Sequence, residues 1–310
     1  MHITNTLEFP PLLAKIYKKA VVYEWISLFY MASVVFFLYL VMGNSQTMKA
    51  VFFEDSLSLI PPLMFLISSH FIKKPANKNF PYGFHKITNI CHLASALTLC
   101  AVGLSLMIDS TRVLLKHEHP DISIIVIGDQ IIWLGYLMMV ALLWKSIPNT
   151  FLGRVKYRMS LQLYDKILFT DAKMNKADWL TGFASIVGIL GIGMGLWWMD
   201  SAVAILISFD ILYDGYHTLK KAILDLLDEM PHTLARDKTD PIIHQAAKYI
   251  ADQSWVKESA VRFRDEGHIF FGEIFIVPNT DKNLIDHANK LEAEIKQLNW
   301  RLHDVVIVLT

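Results

Sequence analysis

Cysteine is almost absent from this chain. Cys91 and Cys100 are the two in 310 residues, and both fall inside one apolar run. That excludes a disulfide framework and offers no C-x-x-C metal spacing, so both read as small apolar helix residues. Charge is scarce as well. Asp, Glu, Lys and Arg make up 19% of the residues, and 29 cationic side chains balance 29 anionic ones for a net charge of +0. With no basic face and no RNA or DNA motif, nucleic acid is excluded as a partner. The common catalytic signatures are missing: no G-x-S-x-G, no H-E-x-x-H and no phosphate-cradling glycine loop. An enzyme, an ATP-driven pump and a resident cofactor are therefore not expected. The glycines of Gly188–Gly195 lie within an apolar run, where small residues permit close helix packing. The first twenty residues mix Glu8, Pro10, Pro11 and lysines without a central apolar segment, so no cleavable leader is expected.

What the chain does have is apolar length. Hydrophobic residues make up 54% of it and the mean hydropathy is +0.37, which points to the membrane class, with lipid as its surroundings. A spanning helix needs about 20 mostly apolar residues. Six runs reach that length: Val21–Val41, Val51–Ile72, Ile87–Leu115, Ile122–Leu143, Ile167–Trp198 and Ala202–Leu224. Lys15, Lys18 and Lys19 precede the first. Lys73, Lys74, Lys78 and Lys86 lie between the second and third, and Lys145, Arg154, Lys156, Arg158 and Lys166 between the fourth and fifth. The opposite loops offer Lys49, Arg112 and Lys116. The positive-inside rule then predicts that both termini are cytoplasmic. A plasma membrane or bacterial inner membrane is the expected location.

The organisation predicted is a cytoplasmic segment over 1–20, a six-span domain over 21–224, a linker over 225–235 and a cytoplasmic domain over 236–310. Beyond Asp225 the chain turns mixed and charged. Ile242–Gln253 and Leu284–Leu298 show helical spacing, while Ser259–Arg264, Ile269–Val277 and Val305–Leu309 read as strands. An α-β-β-α-β order suits a small two-layer α+β domain. Its polar residues Asp265, Glu266, His268, His287 and His303 read as solvated surface.

Ionisable groups within spans are costly and tend to mark ion paths. They are Glu54 and Asp55 in span two, Asp109 in span three, Asp129 in span four, Asp171 and Asp178 in span five, and Asp210 and Asp214 in span six. Asp55 and Asp178 read as the deepest. Asp171, Met174 and Asp178 step by three and four and share a helix face, with Asn175 beside them; Ser58 shares the face of Asp55. Two carboxylates facing one cavity repel, and a proton or a dication relieves that repulsion. Such a pair can exchange protons for a metal ion. Asp109, Asp129, Asp210 and Asp214 read instead as interface or helix-bonding groups, Asp171 is open to either role, and His92 reads as a packing residue.

Six spans, an α-β-β-α-β tail and acidic residues in spans two and five resemble the cation diffusion facilitator (cation efflux) family. The resemblance is carried by EDSLSLI at Glu54–Ile60, PYGFHK at Pro81–Lys86, TDAKMNKAD at Thr170–Asp178 and LLDEMP at Leu226–Pro231. It implies a homodimeric exporter of divalent cations, with protons as counter-ions and a ferredoxin-like, metallochaperone-like C-terminal domain that serves dimerisation. Carried onto this chain, the family's four membrane ligands fall on Asp55, Leu59, Met174 and Asp178. Leu59 cannot bind a metal and Met174 offers a soft thioether. The resemblance also pairs Lys86 with Asp228, a structural tie between the start of span three and the tail. The expected metal set is therefore Asp55, Asp178, Met174, Asn175 and Ser58. Its oxygen-rich character favours a hard cation such as Mn²⁺ or Mg²⁺, or Fe²⁺, over Zn²⁺; Co²⁺ and Zn²⁺ stay in the candidate set. Two missing ligands leave a second reading, a transport-inactive member acting as partner or regulator of another transporter.

Overall fold

A computed structural model of the protein describes residues 9–41, 46–117, 124–127, 130–234, 238–280 and 282–310. The helices α1 (Pro11–Val41), α2 (Gln46–Leu57), α3 (Ile60–Phe71) and α4 (Ile87–Leu115) come first. Strands β1 (Ile124–Ile127) and β2 (Gln130–Trp133) follow, then α5 (Leu134–Leu163), α6 (Lys166–Gly193) and α7 (Met199–Leu226). Among the described residues, 11–40 and 87–115 are helical, long and apolar enough to cross a membrane by length and composition.

The helical part is inverted relative to a water-soluble bundle. On α1 the residues Ala20, Glu24, Ser27, Met31, Val34 and Leu38 recur at steps of three and four, and all are buried. The other face turns Phe29, Phe36, Tyr39 and Leu40 outward. Burying Glu24 while exposing phenylalanine makes sense where the outside is hydrocarbon and the polar groups line an interior.

Two expected spans take a different form. The run Val51–Ile72 is broken into α2 and α3 at Ser58–Leu59. Pro61 and Pro62 have no N–H, so the helical ladder cannot pass through them, and both sit in the first turn of α3, where proline is tolerated. The run expected as a helix over 122–143 begins instead as an antiparallel pair, with Ile124 opposite Trp133 and Ile127 opposite Gln130. β-branched isoleucine and valine fill β1, which suits strand backbone. Helix α5 starts at Leu134 and continues to Leu163, so the stretch expected as a basic cytoplasmic loop is helical. Its Lys145 and Lys156 are fully buried. Asp129 lies outside the described residues.

The C-terminal part has α8 (Pro241–Ala251), β3 (Val256–Glu266), β4 (Ile269–Pro278), α9 (Leu284–Leu298) and β5 (Leu302–Leu309). The sheet order is β3-β4-β5, antiparallel between the first two and parallel between the last two. Asp240 caps α8 by accepting from Ile242 N at 3.1 Å. Ile243, Ala246 and Ile250 of α8 and Leu291 and Ile295 of α9 pack on Phe263, Phe270, Ile274 and Ile276 of the sheet. The chain is thus mostly helical with a small C-terminal three-stranded sheet.

Candidate metal centre

The break between α2 and α3 positions the first carboxylate. Asp55 lies in the last turn of α2, and Ser58 follows at the break itself. Because Pro61 and Pro62 cannot donate, the carbonyls of Leu57 and Ser58 lack their usual helical partners. Broken helices of this kind are a recurrent way of presenting oxygen atoms at membrane depth.

Across from the break stand α5 and α6. Ser58 Oγ donates to Asp178 Oδ1 at 2.8 Å, so the α2–α3 break and α6 meet directly. Asn149 Nδ2 of α5 lies 3.5 Å from Asp178 Oδ2. Between the two carboxylates comes Lys145, whose ammonium donates to Asp55 Oδ1 and lies within electrostatic reach of Asp178. Asp55, Ser58, Lys145, Asn149 and Asp178 are all at most 4% exposed. Asp55 Oδ2, Asn149 Oδ1 and Ser146 Oγ are buried without a hydrogen-bond partner. Gly182, one turn beyond Asp178, lets α5 and α6 approach, since a Cβ there would lie 2.0 Å from Ser146 Oγ.

Of the expected ligand set, the structure brings Asp55, Ser58 and Asp178 together. Asn175 lies one turn from Asp171 and donates to its carbonyl at 2.8 Å, leaving Asn175 Oδ1 unpartnered. Met174 packs in an apolar cluster with Leu99, Val102, Ala177 and Ile211. Leu59 is half-buried on the turn. No group of three or more His, Cys, Asp or Glu close enough to hold a metal ion occurs among the described residues. The centre is a carboxylate pair with a lysine inserted, supplemented by hydroxyl, carboxamide and backbone oxygens. Such a donor set fits a hard cation that takes oxygen ligands, provided the ammonium gives way.

Lys145 was not in the expected set, because lysines in that stretch read as a cytoplasmic loop. A signal existed: Lys145, Asn149, Leu152 and Lys156 step by four, three and four, the spacing of one helix face. Three of the other carboxylates, Asp109, Asp210 and Asp214, have partners. Lys173 donates to Asp214 at 2.9 Å and Lys176 to Asp210 at 2.6 Å, both joining α6 to α7. Asp109 lies 3.5 Å from Arg112 on its own helix.

At the junction with the C-terminal part, Lys86 Nζ lies 3.0 Å from Asp228 Oδ1. Lys166 bridges Asp225 and Asp265 at 2.7 Å each, and His268 Nε2 lies 3.2 Å from Asp165. Asp265, Glu266 and His268 are therefore buried in a docking surface, not solvated as expected. Alternating strand patterns do not report that a β3–β4 turn will be covered by another part of the chain. The turn seats tightly: Gly267 has φ +86, and a Cβ there would lie 2.7 Å from Thr88 Cβ. Burial beside His303 and His268 depresses the His85 imidazole to about 4. Burial raises the Glu266 carboxyl to about 6, with Lys86 and Arg264 opposing.

The chain matches known proteins over much of its length. The family described as "Cation efflux transmembrane domain" matches residues 21–227. The chain is 22% identical over 266 residues, 82% of each protein, to "Manganese efflux system protein MneS" of Bacillus subtilis (strain 168). It is 23% identical over 227 residues to "Magnetosome protein MamM" of Paramagnetospirillum magneticum, covering 69% of this chain and 67% of that one. It is also 27% identical over 168 residues to an uncharacterized metal transporter of Schizosaccharomyces pombe, covering 51% of this chain and 42% of that one. A buried carboxylate pair at a helix break, within a match that takes in α1 through α7 almost entirely, leads to one conclusion: the chain belongs to the cation efflux, or cation diffusion facilitator, family of membrane-embedded transporters.

Proposed function

We propose that the protein exports a hard divalent cation, manganese foremost, in exchange for protons, through a site built on Asp55 and Asp178. The observation that carries this reading is the convergence of the two buried carboxylates at the α2–α3 break. Ser58 and the carbonyls of Leu57 and Ser58 supply further oxygen, and Asn149 a carboxamide. Met174, turned into an apolar cluster, takes no part in the resting site. An all-oxygen donor set of this kind discriminates against zinc, which prefers nitrogen and sulfur in tetrahedral array. The relative named for manganese efflux, alignable over 82% of both chains, supports the same cation.

In the mechanism, Asp55 and Asp178 hold the cation in a site open to the cytoplasm, and Lys145 swings from Asp55 as the cation arrives. Reopening on the far side exposes the carboxylates to protons, which displace the cation. The working unit is a homodimer of six-span protomers with both termini cytoplasmic, in a plasma membrane or bacterial inner membrane. A ferredoxin-like C-terminal domain pairs the protomers, and Lys86–Asp228 ties each domain to its membrane part.

The test is uptake into proteoliposomes of Mn²⁺, Fe²⁺, Mg²⁺, Co²⁺, Zn²⁺ and Cd²⁺ under a pH gradient, with Asp55→Asn and Asp178→Asn as controls. Proton-driven Mn²⁺ uptake that both substitutions abolish is the expected result. No uptake of any cation by folded protein would overturn the proposal in favour of a transport-inactive partner.

A further inference from the structure

A second buried charge cluster lies on the same helices, beyond the centre just described. Lys156 of α5 donates to Glu24 Oε2 at 3.0 Å, to Ser27 Oγ at 2.8 Å and to Asp171 Oδ2. Those three contacts use all three protons of the ammonium. Asp171 in turn receives Asn175, whose Nδ2 donates to its carbonyl at 2.8 Å and lies 3.4 Å from Oδ1. Glu24, Ser27, Lys156, Asp171 and Asn175 are at most 3% exposed.

Two features separate this cluster from a closed structural ion network. The first is charge: two buried carboxylates face one ammonium, so with both ionised the group holds one more negative than positive charge, and a shared proton or a dication relieves it. A buried charge without compensation is costly. The second is that oxygen remains unused. Glu24 Oε1 and Asn175 Oδ1 are buried with no hydrogen-bond partner. A network built for stability alone tends to satisfy every member.

The composition also repeats that of the first centre, where Asp55 and Asp178 share Lys145. Asp171 and Asp178 are seven residues apart on α6, about 10 Å along the axis, and Lys156 lies eleven residues beyond Lys145 on α5, about 16 Å. Asn149 and Asn175, each with an unpartnered Oδ1, lie between the two groups of charges. The α5–α6 seam thus places two carboxamide oxygens, one on each helix, between one carboxylate pair and the other.

We propose that Glu24, Asp171 and Asn175 form a second binding station for the transported divalent cation, about two helical turns from Asp178, with Lys156 as its resting counter-charge. The cation enters here, displaces the ammonium, and passes along Asn175 and Asn149 to Asp178 and Asp55. This rests on the reading of the protein as a divalent-cation exporter, yet it assigns a site of its own.

The test counts Mn²⁺ bound to purified full-length protein by electron paramagnetic resonance. The expected count is two ions per chain in the wild type, one in Asp178→Asn, one in Glu24→Gln and none in the double variant. A count unchanged by Glu24→Gln, or loss of all binding in Asp178→Asn, overturns the station. Because Glu24→Gln disturbs a buried network, Lys156→Met in the Asp178→Asn background is the second arm. Removing the resting ammonium should tighten the remaining Mn²⁺ at least tenfold; unchanged or weaker binding assigns Lys156 a purely structural role and refutes the station. Transport measured on Asp178→Asn separates the two ideas. Retained transport sinks the exporter site at Asp178, whereas abolished transport together with a wild-type count of one ion per chain sinks the station alone.

Discussion

Replacing Lys145 with methionine isolates what the inserted ammonium does. The Lys145–Asp55 pair is almost wholly buried, with side chains 2% and 1% exposed. At an effective dielectric of about 20 and a separation of about 4 Å, such a pair attracts by about 4 kcal/mol. Removing one partner of a buried pair costs about 3–5 kcal/mol, because the other charge is left uncompensated. Lys145→Met should therefore lower the stability of the cation-free protein by about that amount. The same attraction opposes a cation that needs Asp55. Recovering even half of it, about 2 kcal/mol, tightens Mn²⁺ by more than tenfold, with roughly a thousandfold as the ceiling. The assay is a thermal-unfolding titration with Mn²⁺ in detergent. Lys145→Met should melt earlier than wild type without Mn²⁺ and gain more from each increment of it. The double variant Asp55→Asn/Lys145→Met should regain most of the lost stability and respond weakly to Mn²⁺. A folded Lys145→Met protein whose Mn²⁺ response equals or falls below that of wild type would refute the argument that the ammonium and the cation compete.

Pro61→Ala combined with Pro62→Ala restores two backbone donors and should let α2 run into α3; uptake should fall at least tenfold while the melting temperature holds or rises, and unimpaired uptake would show that the break is incidental. Arg301 donates to Asp240 at 2.6 Å and stacks over Tyr164 and Phe270 at 4.1 Å each, so Arg301→Ala should cost about 3–5 kcal/mol. Limited proteolysis should then release the C-terminal part first, and wild-type resistance would count against that coupling. His85 is held to about 4 in the folded chain against 6.5 unfolded, so between those values the unfolded state binds the extra proton. Stability should drop by up to about 3 kcal/mol as pH falls through that window, with no contribution above 6.5. Glu266, raised to about 6, works in the opposite sense between 4.5 and 6. Denaturant melts of His85→Phe should show a shallower acid slope than wild type; an identical slope would remove His85 as its source.

How far the sequence could be read depended on which force shaped each segment. Where apolar length decided the outcome, as at 87–115, the run and the helix coincide. The α-β-β-α-β order of the tail was equally legible, because α8 and α9 show one apolar face each and the strands alternate. The carboxylates Asp55 and Asp178 stood out because they interrupt apolar runs. What composition could not convey was pairing. A lysine that will neutralise a buried aspartate is indistinguishable, residue by residue, from one that sits in a loop. Reading Lys145–Lys166 as a basic loop therefore ended the expected helix at Leu143, well short of the observed end at Leu163, and hid both buried lysines. The same blindness hid the docking surface: Asp265 and His268 become interior only once Lys166 and Asp165, a hundred residues upstream, are folded beneath them.

The lysine beside Asp55 also gives the proposed exchange a response to voltage. Two carboxylates alone would be neutral when holding a dication. With Lys145 retained nearby and still protonated, the loaded centre carries one positive charge, and the returning centre, bearing one proton, carries none. In the proposed exchange each cycle would then move net charge through the bilayer, making turnover electrogenic. A potential of 100 mV would favour or oppose it by about 2.3 kcal/mol per charge. Current recorded from a reconstituted membrane, and its loss in Lys145→Met, would make this ion pair visible as an electrical signal.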